Sequence, residues 1–445
     1  MAGRVFYIDP LHGSSANNGL TSAAYATGGT GPFGSLYDVL WGGDADPDKF
    51  GGSGDTYYLV GSTADILTVY WDGGVTGANS YNLYTTRWQP GSSDFIDVCK
   101  PAKFIGVNTN LEEDGTQYDI QWYINVGPPQ TYGFAMFFTQ RQNGEVFKNI
   151  KWTPRGDPAY NGRLGGMRSY TSGGGGPYLV NCTFDWTNPD ALDDFNPTIW
   201  NDRNPSASFF NCTFLGPSGN GAKAINVASQ YGQHGYLVGC KFRNFNIAYE
   251  YEGQPDPCYG NIFEDCNYGI YVSNSSSSNS PWVVANNLFY NIANDAIYIS
   301  ETGTGNVPIV QNNLFVDIGG YAIESTATWN PSRYYMWCFR RNVIQNATSG
   351  PVGVNIASLK NGIFNGFTGD GVYGNISDNV VITGLTLSID SDFGVTISGF
   401  PSSALGLSGG YGVGSRSSGA GFLTSGVSGE SEGAVSEPEQ ARVTS

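Results

Sequence analysis

Residues 181–186 read NCTFDW, and nearly the same phrase returns as NCTFLG at 211–216 and GCKFRN at 239–244. An aromatic or aliphatic residue, here called the anchor, closes each phrase and recurs about every 25 residues. The anchors are Trp152, Phe184, Phe214, Phe242, Phe263, Phe289, Phe315, Ile344, Ile363 and Val381. Two positions before each anchor stands a second column, consisting of Ile150, Cys182, Cys212, Cys240, Asn261, Asn287, Asn313, Asn342, Asn361 and Asn379.

A second phrase follows most anchors and alternates apolar with other residues. It reads KAINVAS at 223–229, IAYEYEG at 247–253, YGIYVSN at 268–274, DAIYISE at 295–301, YAIESTA at 321–327 and VGVNIAS at 352–358. Alternation with a period of two is typical of β-strands. Each repeat therefore contains at least two short strands, and stacked repeats of this kind predict an all-β solenoid of about ten or more coils.

Stacking of coils places equivalent residues above one another at the spacing of paired strands, about 4.8 Å. We therefore expect the phenylalanine anchors to stack in the interior. The column before the anchors should form a buried ladder, in which thiols come first and side-chain amides follow. The ladder residues are Cys182, Cys212, Cys240, Asn261, Asn287, Asn313 and Asn342.

The composition argues against several classes of protein. Charged residues are 13% of the 445 residues, aromatic residues are 14%, and 63 are glycines, which suits stacked strands and tight turns. The net charge of −17 offers no basic face to nucleic acid or to an anionic membrane. No apolar stretch reaches the length of about 18 residues that a membrane helix needs. We therefore expect neither nucleic-acid binding nor membrane insertion.

The spacing of the cysteines and histidines does not match that of metal ligands. Seven cysteines are an odd number, and Cys182, Cys212 and Cys240 are too widely spaced for zinc. His12 and His234 are the two histidines and lie far apart. We expect buried thiols, no metal and no other cofactor. The sequons that begin at residues 181 and 211 fall in the repeated unit, where we expect no sugar.

The first 60 residues carry a separate signal. A strand with Asp9-Pro10 leads to an NNG turn at 17–19, then to Pro32-Phe33, then to the strand GDTYYL at 54–59. This order resembles the opening of right-handed parallel β-helix proteins of the pectate-lyase-like superfamily. In that superfamily a short helix caps the open end of the helix bore, and Leu36, Val39 and Leu40 have the spacing to do so. The resemblance covers residues 4 to about 398 and implies a right-handed parallel β-helix.

The resemblance is specific for the fold and not for one activity. The superfamily includes lyases, hydrolases, epimerases, phage tailspikes and inert structural shafts. The calcium-binding aspartates and catalytic cation of pectate lyases have no matching set in this sequence. The polygalacturonase motifs are also unmatched, since His234-Gly235 is a lone HG. Neither activity is therefore carried over.

An outward column of residues follows when the second phrases are aligned on their small residues. It contains Asn226, Glu250, Tyr271, Tyr298, Glu324 and Asn355. Tyrosine rings stack on sugars, and carboxylates accept hydrogen bonds from hydroxyl groups. We therefore expect Glu250, Tyr271, Tyr298 and Glu324 to form an exposed glycan-binding stripe. A plain solvated face of the solenoid is the alternative.

Cleavage of a glycan needs two carboxylates about 5–9.5 Å apart. Glu250 and Glu252 stand two residues apart on one predicted strand, about 6.7 Å between Cα atoms, and are the candidate catalytic pair. Glu250 and Glu324 are three coils apart, about 14 Å, which is too far.

The stretch from Asp185 to Pro205 reads as a long insertion with two tryptophans, Trp186 and Trp200, and five aspartates. Insertions in solenoids project as loops on one face, often the binding face. We expect Trp186 and Trp200 to contact a glycan or a neighbouring subunit. The aspartates lack the regular spacing of a calcium loop.

The composition divides the chain into three parts. Residues 1–100 hold the cap and first strands, 101–400 hold the parallel β-helix, and 401–445 form a Gly/Ser-rich tail. Such a tail is a candidate contact with other copies or with a particle.

These features favour a phage virion protein, namely a tailspike, fibre or capsid decoration whose shaft binds glycan. The first ten residues lack a signal peptide, so we expect synthesis in the host cytoplasm. The resemblance implies a homotrimer, with other virion proteins and cell-surface polysaccharide as partners. The alternatives are a polysaccharide lyase or glycoside hydrolase on the same fold, and a bacterial surface or secreted β-helix protein.

Overall fold

The computed structural model describes the chain from residue 3 to residue 398, with gaps. The residues outside it are 1–2, 15, 18, 21–30, 37–53, 62, 72–82, 85–86, 89–94, 97–101, 127–132, 140–145, 156–163, 171–176, 188–196, 202–206, 218, 220–221, 228–234, 252–256, 274–280, 301–306, 327–337, 355–379, 382 and 399–445.

Three long parallel sheets, here called A, B and C, contain most of the described strands. Sheet A consists of β1 (Val5–Ile8), β2 (Thr56–Val60), β7 (Lys103–Val107), β10 (Val146–Lys148), β13 (Tyr178–Val180), β16 (Ser208–Phe210), β19 (Leu237–Val238), β22 (Cys258–Tyr259), β25 (Pro281–Ala285), β28 (Val307–Gln311) and β31 (Cys338–Arg340). Sheet B consists of β3 (Asp65–Trp71), β8 (Tyr118–Val126), β11 (Ile150–Arg155), β14 (Thr183–Asp185), β17 (Thr213–Leu215), β20 (Lys241–Arg243), β23 (Ile262–Glu264), β26 (Leu288–Ile292), β29 (Leu314–Ile318), β32 (Val343–Ala347) and β34 (Val380–Val381).

Sheet C consists of β4 (Leu83–Tyr84), β9 (Gly133–Thr139), β12 (Leu164–Tyr170), β15 (Pro197–Asn201), β18 (Lys223–Val227), β21 (Ile247–Tyr251), β24 (Tyr268–Val272), β27 (Ile297–Ile299), β30 (Tyr321–Ser325) and β33 (Gly350–Val354). Two antiparallel pairs complete the described strands, β5 (Arg87–Trp88) with β6 (Phe95–Ile96), and β35 (Thr386–Ile389) with β36 (Val395–Ser398).

The chain visits the three sheets in the order A, B, C and then begins the next coil. Sheets A and B each have 11 strands and sheet C has 10, all in parallel register. This is the right-handed parallel β-helix that the repeat and the resemblance predicted. Residues within 1–100 supply the first strands of sheets A, B and C, so the sheets run from that part into the next without interruption.

The anchors lie opposite one another in sheet B, as predicted. Trp152 pairs with Phe184, and the register continues through every later phenylalanine to Ile344. The stacked rings have centroids 4.6–5.0 Å apart from Phe184 to Phe315. Such offset stacking in a buried bore is the favourable geometry for aromatic rings.

One predicted coil is wrong. Ile344 pairs directly with Val381, so sheet B has no layer between them for an anchor at Ile363. Ile363 and Asn361 lie outside the described residues. The spacing of about 25 residues between anchors is therefore interrupted here, since 37 positions separate Ile344 from its partner Val381.

The ladder before the anchors is confirmed. Each asparagine side chain donates to the next one, at 2.9 Å from Asn261 to Asn287, 3.0 Å from Asn287 to Asn313 and 3.0 Å from Asn313 to Asn342. Each ladder amide also donates to a backbone carbonyl of sheet A. The thiols of Cys182, Cys212 and Cys240 donate to equivalent carbonyls at 3.3–3.5 Å. Cysteine and asparagine thus satisfy the same backbone group.

The residue just before each ladder position has a positive φ. Asn149, Asn181, Asn211, Gly239, Gly260, Asn286, Asn312 and Arg341 all lie between 52° and 66°. This left-handed conformation turns the chain from sheet A into sheet B. Asparagine and glycine tolerate it best, which explains the first letter of the repeated phrase.

The N-terminal cap is described only in part. Phe33 forms a bridge with Ile8, and both side chains are buried with Leu36 in the core. The backbone N–H of Leu36 donates to Asp65 Oδ2 at 2.8 Å. Helical backbone is described at Leu36, whereas Val39 and Leu40 lie outside the described residues.

Residues 386–398 form an antiparallel hairpin and not another coil, which corrects the predicted extent of the β-helix. Phe393 packs with Leu385 and Leu387 on the outer face of sheet B, against Leu288 and Leu314. Arg243 of β20 donates to the carbonyls of Asp390 and Ser391 at 2.5 and 3.0 Å. The hairpin therefore folds back along the coils that precede it.

Candidate functional site

The predicted outward column exists on sheet C. Asn226 pairs with Glu250, Glu250 with Tyr271, Tyr271 with Tyr298, and Tyr298 with Glu324. One strand earlier, Trp200 pairs with Asn226, so the column also includes Trp200. This part of sheet C brings together five of the predicted positions.

The last position of the predicted column is wrong by two residues. Glu324 pairs with Gly353, and not with Asn355. The sequence PVGVN offers two valines at equivalent spacing, and a slip of two residues leaves the inward and outward faces unchanged. The alternation of apolar and other residues therefore does not distinguish the two registers.

Three half-buried tyrosine rings form the centre of the site. The centroids of Tyr271 and Tyr298 are 5.0 Å apart with an interplanar angle of 32°. Tyr268 lies against both, edge-on to Tyr271 at 5.3 Å and tilted to Tyr298 at 5.7 Å. The hydroxyl of Tyr298 is 3.3 Å from Oγ1 of Thr326, which is exposed. We call Tyr268, Tyr271 and Tyr298 the tyrosine cluster.

A pair of carboxyl groups borders the tyrosine cluster. Burial raises the pKa of Glu324 to about 7, and a side-chain hydrogen bond with Asp295 and the negative charge of Asp295 add to the rise. Asp295 is buried, and its Oδ1 accepts a hydrogen bond from Tyr321 N at 2.6 Å. The negative charge of Asp295 thus favours a proton on Glu324. The same charges, together with burial as the main cause, raise the pKa of Tyr268.

Glycine at position 320 makes room for this carboxyl pair. A Cβ atom there would lie 2.2 Å from Asp295 Oδ1. A larger residue would therefore displace the Asp295 carboxyl group or the backbone that holds it.

Glu250 is buried and not exposed, which corrects one expectation. Its Oε2 accepts hydrogen bonds from Lys223 Nζ at 2.7 Å and from Asn226 Nδ2 at 2.6 Å. This ion pair compensates its charge and leaves it poorly placed to act on a sugar. Glu252, the second member of the predicted catalytic pair, lies outside the described residues.

The predicted insertion is partly a strand of the β-helix. Residues 197–201 form β15 of sheet C, so the stretch is not one projecting loop. Trp186 is buried in the core and cannot offer a ring face to a sugar, which corrects its place in the predicted site. Trp200 stays a candidate by register alone, since the structure describes its backbone only.

Tyr268, Asp295 and Lys223 belong to the site and were missed from the sequence. By the sheet C register, Asp295 stands at the position of Tyr268 and Tyr321, two residues before the inward isoleucine of its strand. The aligned second phrases contain this second outward column, in which Tyr268, Asp295 and Tyr321 occupy equivalent positions.

The described residues also bear on cofactors and membranes. In the described ranges, no group of three or more His, Cys, Asp and Glu side chains could hold a metal ion. The described cysteines are buried free thiols, and burial raises the pKa of Cys182 and Cys212 well above the ordinary value. No helix in the part that the structure describes is long and apolar enough to cross a bilayer.

Comparison with known proteins supports the fold. A family model described as a right-handed beta helix region matches residues 169–334, which include the ladder from Cys182 to Asn313 and the tyrosine cluster. Searches of curated proteins and of solved structures found no significant match. The matched region and the three parallel sheets together support a place for this chain among the right-handed parallel β-helix proteins.

Proposed function

We propose that the chain is a glycan-binding β-helix protein, and that the face of sheet C around the tyrosine cluster contacts the sugar. The observation that carries this proposal is the grouping of three half-buried tyrosine rings beside the Asp295–Glu324 pair. The rings offer apolar faces for sugar rings, and the carboxyl groups offer partners for hydroxyl groups. Because the strands hold these side chains on consecutive coils, the surface suits an extended chain of sugars.

Binding fits the described geometry better than cleavage does. Asp295 acts on Glu324 as a direct neighbour and raises its pKa, whereas cleavage needs two carboxyl groups about 5–9.5 Å apart that flank a glycosidic bond. Glu250 is held in an ion pair with Lys223. The raised pKa of Glu324 still suits a proton donor, so polysaccharide cleavage is the second candidate function.

We further propose that the chain serves as a shaft in a phage virion, as a tailspike, fibre or capsid decoration. The β-helix is the fold shared by tailspikes and polysaccharide-degrading enzymes, and stacked coils give a stiff rod. The expected partners are two further copies of the chain, other virion proteins and a cell-surface polysaccharide.

A glycan array tests the binding proposal. We expect wild-type protein to bind at least one class of oligosaccharide, and Tyr271→Ala with Tyr298→Ala to lower affinity at least tenfold. The matched control is the pair Tyr178→Ala and Tyr236→Ala, since both are exposed tyrosines at sheet A, away from the site. Equal binding by the two double variants would overturn the proposed site.

The bound oligosaccharide then separates binding from cleavage. Incubation with wild-type protein, followed by measurement of new reducing ends and of unsaturated products, should show no turnover. Turnover that is lost in Glu324→Gln would favour the enzyme instead.

A further inference from the structure

Resting on the proposed glycan binding, we propose that the sheet C face is selective for uncharged glycans and discriminates against chains that carry carboxylate or sulfate groups. The inference concerns the class of sugar and comes from the charges that surround the tyrosine cluster. It separates this face from surfaces built to hold acidic polysaccharides.

The described charges beside the cluster are mostly negative. Glu324 pairs with Tyr298 on the next strand, and Asp295 stands level with Tyr268 on the strand of Tyr298. The negative charges of both carboxyl groups act on Tyr268, after burial, to raise its pKa. An acidic sugar stacked on Tyr271 or Tyr298 would bring a further negative charge next to this pair. Like charges at such short range repel, and the half-buried site screens them less than open water does.

A cation on the same sheet as the cluster, Lys223, is already used in an ion pair. Lys223 Nζ lies 2.7 Å from Glu250 Oε2, two strands before Tyr271 in the same sheet. Removing Lys223 from that contact would leave Glu250 buried and uncompensated, which is costly. Arg168 stands in the same column as Tyr271 but four strands away, about 19 Å. A cation at hydrogen-bond range is the strongest partner for a carboxylate or sulfate.

The carboxyl pair matches an uncharged sugar. Carboxyl oxygens accept hydrogen bonds, and Glu324, with its pKa raised to about 7, also donates one while it holds its proton. Hydroxyl and acetamido groups of neutral sugars are also donors and acceptors, so they can satisfy both halves of the pair. A carboxylate or sulfate offers acceptors alone and would leave the acceptors of the pair unmatched.

Matched probes test this inference. Each uronate-containing oligosaccharide is compared with its own carboxyl-reduced form, which keeps the linkage and chain length and removes the charge. We expect the carboxyl-reduced form to bind at least tenfold more tightly at pH 7 and low salt. Glu324→Lys should narrow or reverse this preference, whereas Glu112→Lys, an equal charge change on an exposed loop, should leave it unchanged.

The outcomes distinguish the two proposals. Preference for the reduced forms, lost in Glu324→Lys, supports the inference. Equal or tighter binding of the uronate forms by wild-type protein would overturn the charge selectivity and leave glycan binding intact. If the protein binds neither form and also none of the neutral and N-acetylated glycans on the array, the proposed function itself is overturned.

Discussion

At the scale of single residues, the asparagine ladder couples each coil to the next through buried amides. The side chain of Asn287 accepts from Asn261 through its oxygen and donates to Asn313 and to the carbonyl of Cys258 through its nitrogen. Every polar atom of this side chain is therefore satisfied in the interior. Such a network is stable only while it is complete, because a buried unpaired donor is costly.

Asn287→Ala should destabilise the protein by about 2–4 kcal/mol, because the backbone N–H of Asn261 loses its acceptor and the Asn261 amide keeps only the carbonyl of Leu237. Urea denaturation followed by tryptophan fluorescence measures the change. Asn294→Ala, at an exposed position without a ladder contact, is the control and should change stability by less than about 0.5 kcal/mol. Equal effects of the two variants would contradict the role of the ladder.

Two glutamates make stability depend on pH. Burial raises the pKa of Glu264 to about 7 in spite of its ion pair with Arg243, and burial beside Asp295 raises the pKa of Glu324 to about 7. Each raised pKa exceeds the ordinary glutamate value of 4.5, so between about pH 4.5 and pH 7 the folded chain keeps protons that the unfolded chain releases. Stability should therefore fall as pH rises from about 5 to about 8.

Glu324→Gln and Glu264→Gln should each reduce this fall, since the amide carries no titrating proton. Thermal unfolding at pH 5 and pH 8 measures the difference for wild-type protein and each variant. If the melting temperature falls between pH 5 and pH 8 as much in both variants as in wild-type protein, these two glutamates are not the cause of the pH dependence.

Residues inside the repeat were predictable, and residues at its margins were not. The ladder and the anchors are equivalent residues that stack from coil to coil, so their regular spacing in the sequence reveals them directly. The position of Asp295 in the site depends on a second outward column of sheet C, two residues before the inward isoleucines. It also depends on the space that Gly320 leaves for its carboxyl group. The burial of Glu250 depends on Lys223 in the preceding coil, a contact that one strand taken alone does not reveal.

At the scale of elements, the C-terminal hairpin covers the outer face of sheet B. Its turn, DSDFG at 390–394, is closed by Asp390, whose Oδ1 accepts from the N–H groups of Asp392 and Gly394. Phe393 lies under the Arg243 guanidinium, 4.0 Å from Cζ to the ring centroid. The side chain of Gln345 ties the start of the hairpin by two hydrogen bonds to Leu385.

Phe393→Ala should release the hairpin while the coils stay folded. The variant loses a buried ring and its contact with Arg243, a loss of about 2–4 kcal/mol in the docking of the hairpin. Limited proteolysis should then cut within 386–398 much faster than in wild-type protein, with Thr396→Ala as the exposed control. Global unfolding of Phe393→Ala would show that the hairpin is required for the coils themselves.

The hairpin illustrates a limit of sequence reasoning about elements. Alternation in residues 386–398 indicates strands equally well for a coil and for a hairpin. What distinguishes them is the outer face of sheet B, where Ile262, Leu288 and Leu314 form an apolar surface that needs cover. That surface becomes visible only once the coils are stacked.

At the scale of the whole molecule, stacked coils give a rod whose described faces differ. Sheet B carries the hairpin, and sheet C carries the tyrosine cluster and the carboxyl pair. The proposed virion role predicts that three rods assemble. Light scattering of the purified chain at neutral pH should give about three times 47.6 kDa. A monomeric mass would contradict the trimer and favour a free-standing glycan-binding or glycan-cleaving protein.

The location of the bound glycan is the most direct test of the proposed function. Hydroxyl-radical footprinting, with and without a glycan that the array identifies, measures the protection of each tyrosine side chain. We predict protection of Tyr268, Tyr271 and Tyr298 and unchanged oxidation of Tyr178 and Tyr236. Protection at Tyr178 and Tyr236 with none in the tyrosine cluster would contradict the assignment of the sheet C face.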